Sequence, residues 1–162
     1  MSLLSICHWL NETRLSTTIR ESNNIFPVIE TVHVLAITLL AGTVAAVDLR
    51  LLGLILKREK VSDVASQVLP LTWAGFAVMI VTGALLFLAE AEKSYGNLAF
   101  RIKVLLLILA GLNPLIFHST IYRSVGAWND ALVVPLRARA TAAASLALWS
   151  GIIVAGRAIA YY

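Results

Sequence analysis

The chain has 162 residues, room for one domain and little else. Hydrophobic residues make up 59% of it and charged residues 14%, against about 45–50% and 25% in soluble globular domains, which excludes an ordinary water-soluble fold. The net charge of +4 is spread over short loops and helix ends, so it bears on membrane topology and not on nucleic acid.

Leu3, Leu4, Ile6, Trp9, Leu10 and Leu15 alternate with polar residues at near-helical spacing. That pattern predicts an amphipathic helix lying in the membrane interface, and it also suits a segment docking on a partner. No basic stretch precedes an apolar core here, so the segment does not read as a secretory signal. Cys7 is the single cysteine, which rules out an intramolecular disulfide.

Four apolar runs follow, at residues 25–56, 68–89, 100–122 and 138–160. Each reaches the roughly 20 residues needed to cross a hydrocarbon core. The expected fold is all-α: one transmembrane domain over residues 1–162, an integral membrane four-helix bundle with an N-terminal interfacial amphipathic helix. Short loops make neighbouring spans antiparallel, so spans one and three run the same way. Gly42 with Ala46 in span one, and Ala147, Gly151 and Ala155 in span four, recur every fourth residue and predict close helix contacts. Pro114 should kink span three and free the Ala110 carbonyl, while Asn113 beside it can satisfy a neighbour. Trp73 and Trp149 are expected as helix-packing aromatics.

Ionisable groups inside spans are costly and mark candidate functional sites. Fifteen residues separate His33 from Asp48, and fifteen separate Lys103 from His118. On parallel helices this predicts two polar layers about 22 Å apart. The first gathers His33, Lys103, Glu30 one turn from His33, and Arg157 near the exit of span four. An imidazole in an apolar bundle suits a haem iron and interfacial cations suit haem propionates; the same residues also read as snorkelling charges around a satisfied core histidine. Glu30-x-x-His33 is half of a di-iron motif whose second half is missing. The second layer holds Asp48, Arg50 and His118, with Asp48 expected to pair with His118 or Arg123 from another span. His33 and His118 lie too far apart in depth to share one iron.

The runs Phe26-Pro27-x-x-Glu30-x-x-His33-Val34-Leu35, Asp48-Leu49-Arg50-Leu51-Leu52-Gly53, Phe100-x-x-Lys103 and Gly156-Arg157-x-Ile159-Ala160-Tyr161, together with Asn113, resemble an uncharacterised family of small bacterial four-helix membrane proteins. More distantly, the entry-side histidine, the Leu-Arg-Leu and the span-opening lysine are similar to HemJ-type protoporphyrinogen oxidases and copper-resistance membrane D proteins. That likeness implies haem binding through His33 and Lys103. Where those oxidases carry a further histidine, this chain has Asn113.

The expected function is therefore that of a bacterial inner-membrane protein holding haem b near His33 and passing electrons between a membrane pool, such as quinone, and a redox partner. It is either an oxidoreductase or an electron-transfer subunit. The alternative is a non-catalytic membrane subunit or assembly factor with structural polar layers. Small-residue faces leave a homo-oligomer open. Basic residues number seven on the side of the first and third loops (Arg50, Lys57, Arg58, Lys60, Arg123, Arg137, Arg139) and six on the side of the termini (Arg14, Arg20, Lys93, Arg101, Lys103, Arg157). The majority places the termini outside.

Overall fold

The computed structural model describes residues 3–129 and 134–161. Two short helices, α1 (Leu3–Asn11) and α2 (Arg14–Glu21), precede α3 (Ile25–Leu51), α4 (Val61–Ala89), the short α5 (Ala91–Gly96), α6 (Leu98–Ile116) and α7 (Leu136–Ala158). The helices Ile25–Leu51 and Val61–Ala89 and the stretches Leu98–Thr120 and Leu136–Tyr161 are long and apolar enough to cross a membrane. The chain is thus an all-helical, multi-pass membrane protein with four spans.

Boundaries follow local chemistry. Pro27 sits in the first turn of α3, where a missing N–H removes no helix bond. That helix stops at Leu51, short of the expected residue 56, because Gly53 and Leu56 adopt φ of 72° and 48°, a left-handed backbone that ends helices. α4 starts about two turns before the expected residue 68. Its polar opening turn is anchored by the Ser62 N–H donating to Asn129 Oδ1 at 3.0 Å and carries Asp63, whose charge suits a helix N-terminus. Asn97 caps α6 by accepting from the Phe100 N–H at 3.1 Å. Pro114 removes a backbone donor near the other end, and the helix passes into a π-helical turn, Phe117–Ile121.

The spans stand in the order α4, α3, α7, α6, each packed on the next. A stack of Phe87 on Phe100, centroids 5.5 Å apart, joins α4 to α6. Backbones come closest between α3 and α4, where a Cβ built on Gly75 would lie 3.2 Å from the Leu40 amide nitrogen. The central core joins Ala36, Leu40 and Met79, with Leu107 and Trp149 against it. A second core of Leu51, Val61, Trp128, Val134, Ala138 and Ala142 seals the end that carries the first and third loops. The outward faces stay apolar, as lipid contact requires. Trp73 lies on one of these faces, 62% exposed, so of the two tryptophans expected in helix packing only Trp149 joins the core.

The N-terminal segment packs on its own chain. Cys7, Ser16 and Ile19 are buried, with α1 against α5 and α2 against α4. The Ser16 hydroxyl donates to the Leu88 carbonyl at 2.8 Å and Arg20 donates to the Ala89 carbonyl at 3.1 Å. These bonds satisfy carbonyls that the end of α4 leaves without helix donors. Leu3, Leu4, Trp9 and Leu15 remain exposed, forming an apolar outer face suited to the interface.

Candidate functional site

His33 is the best-built polar position in the spans. It is 9% exposed, on the face of α3 that meets α4, and its Nδ1 lies 2.8 Å from Thr82 Oγ1. The single hydroxyl proton of Thr82 goes back to the Val78 carbonyl at 2.6 Å. Thr82 therefore accepts at His33, which puts the imidazole proton on Nδ1 and leaves the Nε2 lone pair available. Gly83 makes room for the ring: a Cβ there would stand 3.1 Å from His33 Cε1.

Lys103 joins this layer by reach. Leu106 packs on Gly151 and the Asn113 amide donates to the Thr141 carbonyl at 3.1 Å, which fixes the antiparallel register of α6 and α7. The backbone of Lys103 then lies about one turn deeper than Gly156. Its side chain runs back toward the boundary, and Nζ would lie 3.5 Å from a Cβ on Gly156, the outward reach typical of a lysine in lipid. The stack of Phe100 on Phe87, one turn along α4 from Gly83, brings Lys103 to the level of His33. Glu30 and Arg157 do not come in. Glu30 is exposed, and Arg157 is an exposed helix-end cation whose Nη2 donates to the Tyr161 hydroxyl at 3.1 Å.

The second layer divides. Asp48 is 7% exposed and Arg50 1%, but they face different groups. Arg50 Nε donates to the Glu59 carbonyl at 2.8 Å and ties down the first loop. Asp48 meets α7, where Ser145 is its polar neighbour, and its Oδ2 has no hydrogen-bond partner. His118 is not that partner: it is exposed and stacks on Tyr122, centroids 4.9 Å apart. The side chain of Arg123, the other expected partner, lies outside the described residues.

Facing explains the failed pairing. Leu107 packs against the core of Ala36, Leu40 and Met79, and Phe117 against the core that holds Leu51, so α3 and α6 keep similar levels along the bundle. His118 follows Phe117 in the π-helical turn and faces outward onto Tyr122, whereas Asp48 faces α7.

Sequence reasoning missed Thr82, Gly83 and Ser145, the side chains and the gap that set the two buried ionisable groups. A signal was present in Thr82-Gly83, two small residues inside an apolar run. Among the described residues no cluster of three or more His, Cys, Asp or Glu side chains is arranged to hold a metal ion. Two surface depressions stand out. One of about 360 Å³ is lined by Asn11, Arg20, Ala89, Glu90, Glu92 and Lys93, and one of about 260 Å³ opens on α4 over Ala77, Val78, Val81 and Thr82.

A family model described as a family of unknown function, DUF6644, matches residues 9–162. No curated protein matches the chain. No solved structure matches it either.

Proposed function

We propose, for a chain that belongs to the DUF6644 family and takes no assigned activity from it, that His33 is the axial ligand of a b-type haem or related tetrapyrrole in a bacterial inner-membrane electron-transfer protein. The observation that carries this reading is the Thr82 hydroxyl. By accepting the Nδ1 proton it fixes the ring and its tautomer and leaves Nε2 unprotonated, the arrangement in which protein histidines ligate metals. Lys103 supplies a cation in the same layer for a propionate. Glu30 and Arg157, exposed at the same boundary, would act at the rim toward a redox partner or quinone. Bound haem would supply one-electron chemistry; the chain's own part is to hold the ring of His33 and offer a cation beside it.

The non-catalytic reading has its own support. Neither surface depression includes His33, and His33 has one good hydrogen bond, as a satisfied core histidine needs. Absorption spectra of the detergent-purified protein, expressed with haem supply and recorded oxidised and reduced, separate the two. The haem reading expects a Soret band that is lost in His33→Ala, shifted or weakened in Lys103→Ala and unchanged in His118→Ala. Absence of any Soret band in the wild type, or equal loss from His33→Ala and His118→Ala in folded protein, overturns it.

A further inference from the structure

Asp48 is a buried acid that neither reading of the His33 layer uses. It lies near the opposite boundary, 7% exposed, with Oδ2 unpartnered. The charged groups on the elements around it are engaged or turned away. Arg50 holds the Glu59 carbonyl, and Asp63 on α4 is exposed and accepts from the Ser62 hydroxyl at 3.1 Å. Arg137 and Arg139 on α7 are exposed, and His118 at the end of α6 stacks on Tyr122. Among the described residues no cation pairs with Asp48.

We infer that Asp48, with the Ser145 hydroxyl as its polar neighbour, is a proton-binding site inside the membrane, on the side of the first and third loops. Among the described residues no cation stands at Oδ2, and a bare carboxylate oxygen in an apolar interior is strongly disfavoured. A proton on Oδ2 removes that uncompensated charge. Release of the proton returns a carboxylate to which the Ser145 hydroxyl can donate. The apolar seal of Leu51, Val61, Trp128 and Val134 closes this end of the bundle, so uptake and release require that seal to open. The site stands independently of haem at His33.

Infrared difference spectra of the full chain in lipid nanodiscs, recorded along a pH series, test this. The wild type is expected to show the carbonyl stretch of a protonated carboxylic acid that diminishes reversibly as pH rises. Asp48→Asn should remove the band, and Ser145→Ala, which keeps the acid, should shift it. A band unmoved by both substitutions does not belong to Asp48 and overturns the inference, as does a band absent or constant over the whole series. Loss of the band on adding Na⁺ at constant pH, with no response to pH itself, overturns the proton in favour of a bound alkali cation.

Discussion

At the scale of single residues, the contact with most consequence is the one between His33 and Thr82. Thr82→Val keeps the shape of the side chain and removes the acceptor, leaving the His33 Nδ1 proton unsatisfied in a buried seam. Such a loss costs about 1–3 kcal/mol, so the variant should melt below the wild type in detergent. It should also free the ring to turn, broadening or shifting any haem spectrum. Unchanged melting would mean that the 2.8 Å contact contributes nothing, and the fixed-tautomer argument would fall with it. His33, Asp48 and Lys103 were legible in the sequence because an ionisable group in an apolar run is conspicuous. Their neighbours were not. Thr82 and Ser145 look like the many hydroxyls that simply bond their own helix backbone, as Thr31, Thr38 and Thr120 do. The pairing of Asp48 with His118 was misjudged for a physical reason: equal spacing along two helices says nothing of which way each side chain faces, which packing sets, and His118 turns outward onto Tyr122.

At the scale of helices, small residues separate into those that permit contact and those that face lipid. The repeat in span four is real in space, since Gly151 meets Leu106 and Ala155 is buried. In span one the expectation fails, because a Cβ on Gly42 would meet nothing within 4 Å. The close approach of α3 instead uses Gly75 of α4, against the backbone at Leu40 and Ala36. A regular four-residue repeat was easier to see in the sequence than a single glycine, but contact depends on which face a residue occupies. These geometries rank three substitutions. Gly75→Ala pushes on backbone and should cost about 1–3 kcal/mol. Gly151→Ala pushes on the flexible tip of Leu106 and should cost less. Gly42→Ala should be neutral or gain up to about 1 kcal/mol from helix propensity. Thermal unfolding of the three variants checks the order, and a Gly42→Ala penalty as large as that of Gly75→Ala would contradict the α3–α4 interface.

At the scale of the molecule, the four spans and their alternation were legible because hydropathy and short loops leave few alternatives, whereas orientation in the membrane rests on a small charge difference. Of the thirteen basic residues, Arg50 is held inside by the Glu59 carbonyl and Lys103 lies within the bundle. Removing one from each side of the seven-to-six comparison leaves six against five, so the bias keeps its sign and predicts a cytoplasmic side for the first and third loops. The N-terminal segment opposes no part of this, since α1 and α2 dock on α4 and α5 at the other boundary. Reporter fusions at Lys60 should therefore read as cytoplasmic, and fusions at Lys93 and after Tyr161 as external. The same side for Lys60 and Lys93 would break the α4 span itself. A clean reversal would keep the fold and exchange the two boundaries, so that the proposed Asp48 site would meet protons from outside and His33 electrons from within; in the expected orientation that site would draw on the cytoplasmic proton pool and the His33 layer would face the exterior.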